Sequence, residues 1–194
     1  MTMYFWKIAI WLSGPLRRSR ALFLDRDGVI NIDIGYAYKQ EDIVFIPGIF
    51  SLCRIAKQQG MKIIVITNQA GIAHGLYSEH EFEKLMQWMK VIFCKEGCDI
   101  DGVYFCPYHE DGLKDAYRKA SNMRKPMPGM LYKAALAHRI CLRQSIIIGD
   151  KISDMKAGIN AKIGRLFWLS CSNDKEWDWC RYESVDEIAT KLSQ

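Results

Sequence analysis

Five apolar runs punctuate the chain, and stretches with helical periodicity separate them. The runs cover residues 21–25, 62–67, 103–106, 145–150 and Arg165–Leu169. Ile63-Ile64-Val65-Ile66 and Ile146-Ile147-Ile148 are unbroken and β-branched, the pattern of central strands covered on both faces. Ile49, Leu52, Cys53 and Ala56 fall at i, i+3, i+4 and i+7, with Gly60 as a helix stop. Ser78 and Glu81 make a capping box ahead of Phe82, Leu85, Met86 and Met89, on a helix expected to end at Gly97. Pro128 suits the first turn of a helix bearing Leu131, Ala134, Ala135 and His138. A second box, Ser184 with Glu187, opens a last helix through Leu192. Strands that alternate with helices predict an α/β fold with a parallel sheet.

No repeat, low-complexity tract or linker divides the 194 residues, so one domain over 21–194 is expected, preceded by an arm at 1–20. Tyr4-Phe5-Trp6 and the stretch from Ile8 to Leu12 are apolar, but this run is too short to span a bilayer. Its basic residues, Arg17, Arg18 and Arg20, come after the apolar part, the reverse of a secretory signal. A peripheral arm or an over-long start is expected, with a membrane-surface anchor as the alternative.

The net charge of +5 is mild, and no basic stripe with interleaved aromatics argues for nucleic acid. Trp177 and Trp179 alternate with acidic residues and read as a β-edge or packing feature. Cysteines at 53, 94, 98, 106, 141, 171 and 180 are odd in number and show no paired framework, so reduced thiols in a cytoplasm are expected. Cys94 and Cys98, i and i+4 on an expected helix, read as small hydrophobes.

The chemistry concentrates at strand ends. Asp25-Arg26-Asp27-Gly28 follows the first apolar run directly. Two carboxylates this close repel, and burying either without a partner costs several kcal/mol. A hard divalent ion such as Mg²⁺, which prefers carboxylate and carbonyl oxygens, offsets that cost. Thr67 and Asp150 end two further runs. In an open α/β sheet the ligand crevice lies at these carboxyl ends, so one rim would collect all three groups. Taken singly, an Asp at a strand end is more often a turn or helix cap, and Thr67-Asn68 fits a turn equally well.

Together, Asp25 and Asp27, Thr67-Asn68, Arg124-Lys125 and Gly149-Asp150-Lys151 with Asp154 resemble, in order, the four motifs of the haloacid dehalogenase superfamily. A closer resemblance is to the D-glycero-D-manno-heptose-1,7-bisphosphate phosphatases and the related histidinol-phosphate phosphatases. It rests on Leu24-Asp25-Arg26-Asp27-Gly28-Val29-Ile30-Asn31, Asp33-Ile34-Gly35-Tyr36, Thr67-Asn68-Gln69-Ala70-Gly71-Ile72-Ala73, Cys106-Pro107, Arg124-Lys125-Pro126-Met127-Pro128-Gly129-Met130 and Gly149-Asp150-Lys151. The resemblance implies a Rossmann-like three-layer sandwich, and the motif spacing leaves no room for a separate cap domain. It also implies phosphomonoester hydrolysis through an aspartyl-phosphate. Asp25 would be the nucleophile and Asp27 the general acid and base, two roles that require a raised proton affinity. Mg²⁺ would sit on Asp25, the backbone carbonyl of Asp27 and Asp150, with Asp154 supporting the metal or a lysine from behind. Thr67, Asn68 and Lys125 would hold phosphoryl oxygens, and Asp33, Tyr36, Gln69, Arg124 and Lys151 are candidates for the rest of the substrate. His74 and His109 are expected to be solvated loop residues.

One departure stands out. The family's structural zinc takes its ligands from a Cys-Pro-His segment and a later Cys-x-Cys, and here those positions read Cys106, Tyr108, Ser121 and Met123. Three of the four are not ordinary zinc ligands, so zinc is not expected, a rearranged site with His109 as a second ligand and Cys94 or Cys98 as a third being the alternative. The loop from 107 to 124 is then expected to be ordered by packing through Leu113 and Tyr117, or to be mobile, with Pro107, Pro126 and Pro128 stiffening its ends. The overall expectation is a cytoplasmic, monomeric, Mg²⁺-dependent phosphatase of a small phosphorylated sugar, without nucleic-acid or membrane partners. Its best single substrate is D-glycero-D-manno-heptose 1,7-bisphosphate, losing the 7-phosphate on the way to surface-glycan heptose. Histidinol phosphate, a polynucleotide 3′-phosphate and a silent phosphosugar-binding role are the alternatives.

Overall fold

A computed structural model of the chain describes residues 18–169 and 180–193. Six parallel strands form one sheet: β1 Arg20–Leu24, β2 Met61–Asn68, β3 Gly102–Cys106, β4 Ile146–Gly149, β5 Arg165–Leu169 and β6 Cys180–Tyr182. Their order is β3-β2-β1-β4-β5-β6. The helices are α1 Ile49–Gln58, α2 Ala70–Ala73, α3 Glu79–Lys95, α4 Gly129–His138, α5 Ile152–Asn160 and α6 Val185–Ser193.

The β-branched runs explain the layering. Alternate residues of a strand point to opposite faces, and here both faces are covered. Leu22, Leu24, Ile63, Val65, Ile146 and Ile148 pack in one core with Leu52 of α1, Met86 of α3 and Ile188 of α6. Phe23, Ile64, Ile66 and Ile147 pack in the other with Leu131 of α4 and Ala157 of α5. The result is the three-layer sandwich. The connections between 25 and 48 and between 107 and 128 hold only the short 3₁₀ turns Gln40–Asp42 and Asp115–Tyr117, so no cap domain stands over the sheet.

Local signals acted as their chemistry requires. Ser78 Oγ accepts from the Glu81 N–H at 3.2 Å, and Glu81 Oε2 accepts from the Ser78 N–H at 2.8 Å. At the last helix Ser184 Oγ accepts from Glu187 N at 3.2 Å, while Glu187 Oε2 takes the Glu183 N–H rather than that of Ser184. Pro128 is the N-cap of α4.

The elements differ from expectation at three places: the strand β6, the start of β1 and the end of α3. The strand β6 was not foreseen: three residues, Cys-Arg-Tyr, carry no apolar run. Trp177 and Trp179 lie outside the described residues, as do residues 1–17 of the arm; Ser19 already bridges to Ile140 and Arg20 already belongs to β1. The third helix stops at Lys95, and Gly97 turns the chain at a φ of 73°, so Cys98 leaves that helix and lies buried against Cys53 of α1. Among the described residues no helix is long and apolar enough to cross a membrane.

One surface ion pair ties the edge of the sheet. Asp101 accepts from Lys57 Nζ at 2.6 Å and from the Ile63 N–H at 2.8 Å. Partial burial works to raise its pKa, but these hydrogen bonds outweigh it and hold the carboxyl below its usual range. A depressed carboxylate stabilises the fold above its unfolded pKa and loses that contribution as pH falls. Asp101→Asn is therefore expected to lower stability by about 1 kcal/mol at pH 7. In urea melts the gap to the parent should close as pH drops below 4.

Candidate active site

The strand order reverses at β1, which lies between β2 and β4. This is the switch point at which open α/β sheets bind ligands. The register Leu24↔Ile148 sets the residues after β1 beside those after β4, and the Asp25 N–H donates to Ile148 O at 3.1 Å. Asp25, Asp150 and Asp154 thereby converge, with one carboxylate oxygen from each lying within 4.8 Å of the others. Among the described residues this is the one group of three or more His, Cys, Asp or Glu side chains so placed.

Lys125 reaches into the cluster from the loop before α4. Its Nζ lies 2.9 Å from Asp25 Oδ1 and 2.6 Å from Asp154 Oδ1, and it donates to Ile66 O at 3.1 Å. Burial opposes the charge on this ammonium, but Asp154 and Asp25 hold its pKa above the ordinary value. Burial also raises the Asp25 carboxyl, against the pull of Lys125. Asp150 is pushed up to about 7 by burial and then by the charge of Asp25. Its Oδ1 is buried and has no hydrogen-bond partner.

Three carboxylates facing one ammonium leave a charge of two to be balanced. The donors are all hard oxygens, and an orphaned one is aimed inward. These features fit a divalent cation of the Mg²⁺ class.

Two glycines make the cluster possible. At Gly28, with φ of 87°, a Cβ would sit 2.2 Å from Asp150 Oδ2; at Gly149 it would sit 2.2 Å from the Asp154 Cβ. Gly28→Ala would force Asp150 aside and strain the backbone by roughly 1–2 kcal/mol. We expect at least a tenfold weaker apparent affinity for the activating metal, read from a metal titration of activity.

Asp27 belongs to a second network. Arg26, fully buried, grips it through Nε at 3.1 and 3.0 Å and Nη2 at 2.7 Å, and also donates to Ala37 O at 2.8 Å. Asn31 Nδ2 and Gln69 Nε2 add contacts at 3.0 and 3.3 Å. Gln69 Nε2 also donates to Thr67 Oγ1 at 2.8 Å, and its Oε1 accepts from Tyr77 OH at 2.6 Å. Gln69, placed by sequence among the substrate contacts, is thus buried behind the site with both ends of its amide engaged. Asn68 clasps the Lys125 backbone, donating to its carbonyl and accepting from its N–H, each at 3.0 Å. Arg26, Asn31 and Tyr77 received no role in the sequence reading. Arg26 had a signal: a carboxylate buried at Asp27 needs a cation, and the nearest in sequence precedes it.

The remaining candidates lie toward solvent. Asp33 Oδ2 meets Lys151 Nζ at 2.8 Å. Burial pulls the Asp33 carboxyl up, but Lys151 and the Gly35 N–H leave it lowered. The Lys151 N–H donates to Asp154 Oδ2 at 3.0 Å. Tyr36 is exposed, edge-on to His74 with ring centroids 6.3 Å apart. His74 and His109 are half-buried and lie 5.2 Å apart, rather than freely solvated as expected. Arg124 Nη1 donates to Tyr108 O at 3.3 Å. With His109 and Lys125 it lines an open pocket of about 430 Å³.

Comparison with known proteins bears on this site. Residues 35–167 match the family model described as polynucleotide kinase 3 phosphatase. The chain is 49% identical over 157 residues to a D-glycero-alpha-D-manno-heptose-1,7-bisphosphate 7-phosphatase of Burkholderia mallei, covering 81% of this chain and 82% of that protein. It is 42% identical over 144 residues to a D-glycero-beta-D-manno-heptose-1,7-bisphosphate 7-phosphatase of Yersinia pestis, covering 74% of this chain and 77% of the relative. Among solved structures, a D,D-heptose 1,7-bisphosphate phosphatase of B. bronchiseptica, complexed with magnesium and phosphate, superposes with a TM-score of 0.77. At 22% identity, that match covers 89% of this chain and 97% of the other and bears on the fold alone.

Proposed function

Because this chain belongs to the heptose-1,7-bisphosphate 7-phosphatase family of the haloacid dehalogenase superfamily, and so to the phosphatases, we propose that it removes the 7-phosphate of D-glycero-D-manno-heptose 1,7-bisphosphate. The observation that carries the reading is the oxygen-only cluster of Asp25, Asp150 and Asp154 at the sheet's switch point, in a chain 49% identical to a phosphatase of that name.

In the reaction we assign, a carboxylate oxygen of Asp25 attacks phosphorus and forms an aspartyl-phosphate as the bond to the sugar oxygen breaks. Asp27 must enter this step carrying a proton, against the donors of Arg26, Asn31 and Gln69 around it, and gives that proton to the leaving oxygen. It then takes a proton from the water that attacks the acyl phosphate, which releases inorganic phosphate and frees Asp25. Arg26 fixes the direction of the Asp27 carboxylate through its planar fork. Lys125 balances the charge of Asp25 and draws phosphoryl oxygens in, and Thr67 donates to one of them. Asp25, Asp150 and the backbone at Asp27 would hold Mg²⁺, which supplies shielding between nucleophile and phosphate when bound. Asp154 stands behind, locking Lys125 and the Lys151 backbone. Arg124 receives the phosphate that does not react. Free thiols at Cys53, Cys94, Cys98, Cys106 and Cys141 support a reducing, cytoplasmic setting.

The family model's polynucleotide description keeps a 3′-phosphorylated oligonucleotide as the second reading. Steady-state kinetics with Mg²⁺ on both anomers of the heptose bisphosphate, histidinol phosphate and a 3′-phosphorylated oligonucleotide separate them. We expect kcat/KM to be highest for a heptose bisphosphate by at least tenfold. A preference for either of the others overturns the assignment.

A further inference from the structure

We propose that the loop from 107 to 124 is ordered by a clamp of side chains centred on Tyr108, without a structural metal, and that this clamp positions Arg124. The inference rests on the reading of Arg124 as the receptor for the non-reacting phosphate.

Of the four positions where the family's zinc ligands would stand, only Cys106 carries an ordinary zinc donor. Cys106 Sγ faces the carbonyl of Tyr108 at 3.8 Å, and Ser121 Oγ accepts from the Met123 N–H at 3.1 Å. Tyrosine, serine and methionine are not ordinary zinc ligands, and one thiolate cannot close a tetrahedral site. Among the described residues no second group of three metal-ligating side chains forms.

What holds the loop is organic. Lys119 Nζ lies 4.2 Å from the centre of the Tyr108 ring, a cation–π contact. The Tyr108 and Tyr117 rings lie 6.0 Å apart, and Tyr117 OH donates to Glu79 Oε1 at 2.7 Å, anchoring the loop to the start of α3. The His109 N–H donates to Tyr117 O at 3.1 Å, closing the turn. Tyr108 packs against the core on the α4 face and Tyr117 against the opposite core, so the pair pins the loop across the sheet edge. Leu113, expected to help, is 76% exposed and does not. The clamp ends at the site: the carbonyl of Tyr108 accepts from Arg124 Nη1 at 3.3 Å. Fixing that carbonyl fixes one arm of the guanidinium and leaves the rest of its fork for an anion.

The experiment joins metal analysis to kinetics on the Mg²⁺-loaded enzyme. Elemental analysis of the purified protein should find no stoichiometric zinc, and a zinc-selective chelator should leave its melting temperature unchanged. Tyr108→Ala should raise KM for the heptose bisphosphate roughly tenfold with kcat kept, and Tyr108→Phe, which preserves the ring, should restore it. Arg124→Ala, run beside them, should raise KM at least as much. One zinc per chain, or a chelator-induced fall in melting temperature, overturns the proposal. So does an unchanged KM in Tyr108→Ala when Arg124→Ala raises it. An unchanged KM in Arg124→Ala instead overturns the reading of Arg124 itself, and the clamp's role in positioning it falls too.

Discussion

Asp25→Asn is expected to lower kcat by roughly 10⁴-fold or more while the protein stays folded. The amide is nearly isosteric with the carboxylate it replaces, but it is not a nucleophile toward phosphorus. The fold should not suffer, because Asp25 is held there at an electrostatic disadvantage. Burial raises its pKa, and Asp150 and Asp154 stand within 4.8 Å of it. A group whose folded pKa is raised stabilises the fold at low pH and loses that contribution as pH rises through the folded value. Neutral Asn removes that loss, so the metal-free variant should melt no lower than the metal-free parent at pH 8. Rapid-quench kinetics and a thermal melt on the same preparation check both halves. Activity near the parent's would remove Asp25 from the nucleophile's role.

Lys125→Met carries the second large effect, and it runs in the opposite direction on stability. Removing the ammonium leaves Asp25 and Asp154 buried without the cation they share at 2.9 and 2.6 Å. Breaking a buried pair by deleting one partner costs about 3–5 kcal/mol. The carboxylates can escape by protonation, so the metal-free variant should be most damaged at pH 8 and least at pH 5. Turnover should fall by roughly 10²–10³-fold, the size of effect seen when one group that stabilises transition-state charge is removed. Urea denaturation at the two pH values separates this from a general packing defect, which would show the same loss at both.

Of these two residues, Asp25 was legible on physical grounds, as a strand end, whereas Lys125 lies in a loop and was singled out only through the likeness of Arg124-Lys125 to the family's motif. Asp25, Thr67 and Asp150 end apolar runs, and a parallel sheet delivers such ends to one rim. The layers were legible for the same reason: the unbroken Ile and Val runs at β2 and β4 suit only strands covered on both faces. What the sequence did not carry is tertiary. The three-residue strand β6 pairs with β5 without any apolar run of its own. Gln69 looked like a substrate contact because it follows the Thr67-Asn68 pair, yet the tight turn into α2 swings it inward to Thr67, Asp27 and Tyr77. Cys98 leaves its expected helix because Gly97 ends it. In the loop from 107 to 124 Tyr117 packs as expected, but Leu113 is exposed and Tyr108 and Lys119 meet instead, a pairing that depends on which side chains come together in space.

The account's central claim is that one divalent ion joins Asp25 to Asp150 so that Asp25 can accept a phosphoryl group. The most direct measurement is a crystal structure with Mg²⁺ and beryllofluoride, a mimic of the aspartyl-phosphate. The expected result is beryllium bonded to an Asp25 carboxylate oxygen, with the metal between it and Asp150. Beryllofluoride on another residue, or a metal bound away from this pair, would contradict it.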